Sequence, residues 1–80
     1  MKLNILAFGI AKDIIKGSSL EFDLEEGNDI QALKTALCDR YPDFQKLKSL
    51  SIAVNAAYQK DDFMLSESDE IVIIPPVSGG

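Results

Sequence analysis

The 80-residue sequence predicts an α+β fold, a mixed four- to five-stranded sheet with one main helix packed on one face. Three observations carry that prediction. Apolar and polar residues alternate from Lys2 to Phe8 and again from Ser18 to Leu24, the period of a half-buried strand. Ile30, Leu33, Ala36 and Leu37 then recur at helical spacing. The run Ile71-Val72-Ile73-Ile74 is apolar at every position, as in a strand covered on both faces.

The first strand sets Leu3, Ile5 and Ala7 on one face, and Lys2, Asn4, Leu6 and Phe8 on the other. Gly9 to Lys16 is a connection with room for a helical turn over Ala11 to Ile15. In the second strand Leu20, Phe22 and Leu24 oppose Ser19, Glu21 and Asp23, which suits an edge strand antiparallel to the first. Glu25 to Asp29 is a turn leading into the helix. Asn28 with Gln31 forms one possible capping box, and Asp29 is the competing cap. The helix is expected over Asp29 to Arg40, with Lys34, Asp39 and Arg40 pointing away, and it ends near Tyr41 because Pro42 disfavours helix in the residue before it. A second short helical turn fits Asp43 to Lys48.

Leu50 to Asn55 is a third strand with Ile52 and Val54 inward. Ala56 to Met64 is a polar excursion that turns at Lys60-Asp61-Asp62, and Leu65 to Glu70 is a tight loop. Ile71 to Ile74 is the last strand, central in the sheet. The expected core is Ile5, Leu20, Phe22, Ile30, Leu33, Leu37, Ile52, Val54, Ile71 and Ile73. For one helix to cross between the two halves, the first and last strands must pair in parallel at the centre. That order is the β-grasp arrangement. It leaves one sheet face uncovered, carrying Phe8, Val72 and Ile74, and an apolar patch without a covering element marks a partner site.

Composition removes whole classes of function. The net charge is −5, which disfavours nucleic acid. There is no histidine and only one cysteine, so no Ser-His or Cys-His pair and no ordinary zinc site can be assembled. No metal site is expected; Glu25-Glu26 and Asp61-Asp62 are exposed turn acids without calcium-loop spacing. Cys38 is expected to pack as a small hydrophobe, with no basic residue beside it in the helical register. No apolar stretch has membrane-spanning length, the N-terminus goes directly into a strand pattern, and a lone cysteine suits a reducing compartment. A cytoplasmic location with no membrane partner is therefore expected.

The most informative stretch is Pro75-Pro76-Val77-Ser78-Gly79-Gly80. Prolines halt the last strand, and two glycines present a terminal carboxylate without side chains. The expected organisation is a domain over 1–74 and a flexible tail over 75–80. Extended, that tail reaches up to roughly 20 Å.

Four stretches together resemble the small, sulfur-carrying subunit of molybdopterin synthase, within the ubiquitin-like β-grasp sulfur carriers. They are Leu6-Ala7-Phe8-Gly9-Ile10-Ala11-Lys12, Ala53-Val54-Asn55, Asp69-Glu70-Ile71 and the terminal Pro75 to Gly80 run. The sequence departs from that pattern at Ser68, where a glycine is usual, and at Ala56-Ala57, where polar residues are common.

The resemblance implies a carrier that is not an enzyme on its own and binds no cofactor itself. An ATP-consuming activating enzyme would adenylate Gly80, and a sulfur donor would convert it to a thiocarboxylate. The tail would deliver that sulfur, inside the large synthase subunit, to a cyclic pyranopterin monophosphate precursor in molybdenum cofactor biosynthesis. The assembly implied is a 2:2 heterotetramer. Gly79 and Gly80 would be the functional residues. Phe8 and Ile74, by strand parity, and Tyr58, by resemblance, would meet the large subunit with Pro75, Pro76, Val77 and Ser78. A sulfur carrier for thiamine or tRNA thiolation, a ubiquitin-like protein modifier, and a plain interaction module share this sequence logic.

Overall fold

The computed structural model describes residues 1–47 and 50–75. Their elements are β1 (Lys2–Ala7), α1 (Ile10–Ile15), β2 (Ser19–Asp23), α2 (Ile30–Arg40), a 3-10 helix (Pro42–Lys46), β3 (Ser51–Val54), β4 (Ala57–Tyr58) and β5 (Glu70–Ile74). The strands form one mixed sheet in the order β2-β1-β5-β3-β4. β1 and β5 pair in parallel, with Ile5 beside Ile71 and Ala7 beside Ile73; the other pairings are antiparallel. This is the β-grasp order, with the apolar β5 at its centre.

Strand parity decides what is buried. Leu3, Ile5 and Ala7 of β1, Ile71 and Ile73 of β5, and Ile52 and Val54 of β3 face α2, which answers with Ile30, Leu33 and Leu37. All are essentially inaccessible to water, and at about 25 cal/mol per Å² of apolar area this layer is the main source of stability. Leu20 and Phe22 are corrected from core to half-buried, because β2 is an edge strand with no neighbour on its outer side among the described residues. The 3-10 helix contributes Phe44 to the core, meeting Tyr41 edge to face with ring centroids 6.0 Å apart. Ala11, Leu24 and Leu65 complete the core beneath the connections.

The N-terminus of α2 shows how a small domain satisfies its backbone. Asp29, not Asn28, is the cap: its Oδ1 accepts from the Ala32 N–H at 2.9 Å, and its carbonyl accepts from the Leu33 N–H at 3.1 Å. The Ile30 and Gln31 N–H groups donate to the carbonyls of Phe63 and Asp61. Three orphan donors of the first turn, the N–H groups of Ile30, Gln31 and Ala32, thus have partners outside the helical ladder. Lys34 Nζ, 2.7 Å from Asp61 Oδ1, ties the helix to the same connection. Gly27 precedes this junction at φ 83°, where an added Cβ would lie 2.5 Å from the Ala32 Cβ, so no other residue fits without a shift.

The connection read as a polar excursion contains β4. Asn55 and Ala56 both adopt positive φ, 52° and 69°, and turn the chain so that Ala57 pairs with Val54 and Tyr58 with Ala53. The two positive angles match a two-residue hairpin turn, in which a glycine is the usual second residue. Ser68 is not in the left-handed region, so the absence of glycine there costs nothing; the strained departure is Ala56.

Candidate functional site

The open face of the sheet is built by the residues that alternate with the core. Ser19, Leu6, Val72, Ala53 and Tyr58 form one row across all five strands. Ile74, paired with Ser51, lies in the next row, and Phe8 follows β1 two residues beyond Leu6. Leu6, Val72 and Ile74 are half-buried, whereas Phe8 is 59% and Tyr58 68% exposed. Phe8 and Tyr58 are set at β1 and β4, roughly 14 Å apart by strand spacing. A continuous, mostly apolar strip lies between them.

Parallel pairing fixes where the chain leaves this surface. β1 and β5 end at the same margin of the sheet, so Phe8-Gly9 and Ile74-Pro75 are neighbours. A Cβ on Gly9 would lie 3.5 Å from Pro75 Cγ, an ordinary contact, but Gly9 stands at φ 58°, ψ −134°, where side chains are disfavoured. Glycine there lets the chain turn from β1 directly into α1 while remaining against Pro75. The proposed tail residues Pro76, Val77, Ser78, Gly79 and Gly80 lie outside the described residues, as does the boundary between domain and tail beyond Pro75.

Sequence reasoning missed Ile10, which is 48% exposed at the start of α1, directly after Gly9. Ile10 precedes the buried Ala11 in a six-residue helix, so the two do not share one face, and so short an element shows no periodic face in the sequence.

A polar clamp holds the hairpin that carries Tyr58. The Asp69 carboxylate accepts from the Ser66 N–H and from Asn55 Nδ2, both at 2.9 Å. Asn55 Oδ1 accepts from the Glu70 N–H at 3.0 Å, while the Asn55 N–H donates to the Glu70 carbonyl at 2.9 Å. The Ser66 N–H first, and the Asn55 amide second, stabilise the ionised form and hold the Asp69 carboxyl below its ordinary value. The matched segments Val54-Asn55 and Asp69-Glu70 are therefore structural partners, locking the β3–β4 turn onto the start of β5.

Lys34 stands one helical turn before Cys38, contrary to the expectation that no basic residue adjoins it. The Lys34 ammonium is engaged by Asp61, and Cys38 is half-buried against the core. No group of three or more His, Cys, Asp or Glu side chains among the described residues is placed to hold a metal ion. No helix among them is long and apolar enough to cross a membrane.

Comparison with known proteins agrees with this architecture. The ThiS family model matches residues 5–80. The molybdopterin synthase sulfur carrier subunit of Caenorhabditis elegans is 31% identical over 83 residues, covering 100% of this chain and 99% of that one. The fold is shared with the small archaeal modifier protein 1 of Methanosarcina acetivorans (TM-score 0.77, 22% identity, 99% and 96% of the two chains). It is shared also with a chain in the complex of subunits 1 and 2 of the molybdopterin-converting factor from Helicobacter pylori (TM-score 0.65, 26% identity, 100% of both chains). A match over nearly the whole length, on a fold that sets an apolar face beside the exit of its last strand, places this chain in the ThiS family, with the molybdopterin synthase sulfur carrier subunits as its relatives.

Proposed function

We propose that this chain is the sulfur carrier subunit of a molybdopterin synthase, and that its contribution to the chemistry is the Gly80 carboxylate. The observation that carries the reading is the parallel β1–β5 pairing, which roots the tail at Pro75 beside Gly9 and at the margin of an exposed apolar face. A partner that seats Phe8, Tyr58 and Ile74 would receive the tail in the same encounter. Relatives named for this role support the assignment, as does the solved complex of the Helicobacter pylori converting-factor subunits.

A carboxylate is a poor electrophile, so the first step is adenylation of Gly80 by an ATP-dependent activating enzyme, with release of pyrophosphate. A sulfur donor then displaces AMP and leaves a thiocarboxylate. The large subunit takes the tail, and sulfur passes to a cyclic pyranopterin monophosphate; two transfers supply the two sulfurs of the dithiolene. Within this scheme residues 1–74 are the rigid handle and 75–80 the reacting arm. Gly79 without a Cβ suits a channel that admits backbone and little else. Pro75 and Pro76 stiffen the base of the arm and lower the entropy lost on insertion. The large subunit supplies acid–base groups that this chain lacks, in a 2:2 assembly, and a cytoplasmic setting suits the single cysteine.

Intact-mass spectrometry after co-expression with the activating enzyme and sulfur donor of the same cell tests the proposal. The expected result is one oxygen-for-sulfur exchange at Gly80. ATP–pyrophosphate exchange should proceed with the wild type and be lost on deleting Gly80 or extending the chain by one residue. Equal exchange by all three forms overturns the carrier reading. Isopeptide-linked products without sulfur incorporation would identify a protein modifier instead.

A further inference from the structure

A second surface lies on the opposite edge of the sheet from β4. β2 is an edge strand, and its pairing with β1 fixes which backbone groups are unused. The Ala7 N–H donates to the Ser18 carbonyl and the Leu24 N–H to the Met1 carbonyl, both in the β1–β2 register. In an antiparallel ladder hydrogen-bonded pairs alternate. Residues 18, 20, 22 and 24 therefore turn their backbone groups toward β1. The N–H and C=O groups of Ser19, Glu21 and Asp23 point away from the sheet and have no partner among the described residues. Alongside them runs a groove of about 860 Å³ between β2 and α2. Its floor is the apolar surface that Leu20, Phe22, Ala36 and Tyr41 leave half-buried. Glu25, Glu26, Asp39 and Arg40 line it, and the Glu21 and Asp23 carboxylates stand on the other face of the same strand. Of these, Asp23 is partly answered by the Met1 ammonium at 3.3 Å.

We propose that this edge docks an extended segment of a partner protein in which apolar residues alternate with Lys or Arg, added to the sheet beside β2. Strand addition satisfies the outward groups of Ser19, Glu21 and Asp23. Residues opposite Leu20 and Phe22 enter the groove and cover its apolar floor, while those opposite Glu21 and Asp23 fall on the other face, where a basic side chain meets the carboxylates. Charge selects the occupant. A second copy of this chain pairing β2 to β2 would bring Glu21 and Asp23 against like charges, which is unfavourable across a strand pair. The groove lies on the helix-covered face, and Tyr58 of β4 is at the opposite edge of the five-stranded sheet from β2. The two surfaces can therefore be occupied together.

The probe is a nine-residue blocked peptide alternating valine and lysine, titrated into the isotope-labelled full chain and followed by amide chemical shifts. The expected result is saturable binding with shifts at Ser19, Glu21 and Asp23 and along α2, and no shifts at Tyr58. A valine–glutamate peptide of the same length should bind at least about tenfold more weakly. Glu21→Pro removes one outward N–H at a position where an edge strand tolerates proline, and should abolish binding with the native spectrum retained. Glu21→Lys with Glu25→Lys tests the charge term without touching the backbone and should lower affinity by about tenfold. Three outcomes overturn the proposal: no saturable shifts, equal affinity for the two peptides, or shifts confined to the Phe8–Tyr58 face. Concentration-dependent dimerisation through β2 in the absence of peptide overturns it in favour of a second copy. None of these readouts involves Gly80, so failure here is distinguishable from failure of the carrier reading.

Discussion

The two faces of the sheet are written by the same strands, one residue out of phase, and they have opposite physical tasks. On the covered face Ile5, Ile71 and Val54 form a row that α2 seals with Ile30, Leu33 and Leu37. On the open face the adjacent row, Leu6, Val72, Ala53 and Tyr58, meets no helix among the described residues and ends in a ring that is 68% exposed. With the open face as the proposed docking surface, the comparison predicts that stability and association are separable in so small a domain. Changes on the first face should be read in folding, and changes on the second in binding.

The sharpest break is in the covered face. Leu33→Ala or Leu37→Ala leaves a cavity against β1 and β5 and should lower stability by about 2–5 kcal/mol, a large share of the total for a domain of this size. Denaturant unfolding with an unchanged m-value checks it; a loss below that range would mean that the helix is not the main seal.

The reciprocal break is in the open face. Phe8→Ala should leave the unfolding midpoint within about 0.5 kcal/mol of wild type while weakening association with the large subunit by about 1–2 kcal/mol. Calorimetry on the pair checks the second number. If Phe8→Ala combined with Ile74→Ala binds as the wild type does, the open face is not the docking surface.

The comparison is sharpened by the hairpin that presents Tyr58. Ala56 stands at φ 69°, and Ala56→Gly should relieve that strain and raise stability by about 0.5–1 kcal/mol. A raised thermal midpoint is expected, with slower amide exchange confined to β3 and β4.

The smallest effect is the acid response of the clamp beneath the same hairpin. The Asp69 carboxyl titrates below its ordinary 3.8 because the Ser66 N–H and the Asn55 amide stabilise its charged form. Its stabilising contribution is therefore complete above that value and is lost as pH falls through the lower, folded-state value. The stability difference between wild type and Asp69→Asn should shrink on acidification through that window and stay constant above it. A difference that grows on acidification would contradict the assignment.

Much of this fold is legible residue by residue. The alternation of Leu3, Ile5 and Ala7, the helical recurrence of Ile30, Leu33 and Leu37, and the uninterrupted Ile71 to Ile74 each describe one element in its own period. Pro42 marks the end of α2, and Asp29 was already a candidate cap. Elements without a period were not legible. β4 is two residues long and exists because Asn55 and Ala56 accept positive φ. Phe44 is flanked by Asp43 and Gln45, so nothing local marks it as core. Of the candidate site, Phe8 and Ile74 followed from parity and Tyr58 from resemblance alone. Ile10 was hidden because a six-residue helix offers too few positions to display a face.

The sequence by itself determined the alternation of burial along β1 and β5, the extent of α2, the absence of histidine chemistry and the family of the chain. Those are properties of adjacent residues, and side-chain alternation and backbone propensity act over adjacent residues. Tertiary structure decided that Leu20 and Phe22 are half-buried at an edge and that Asn55 and Asp69 close one clamp across 14 residues. It also decided that Gly9 lies against Pro75. Each depends on which strand lies beside which. That choice is made by the whole sheet burying one face, and no local stretch of sequence carries it.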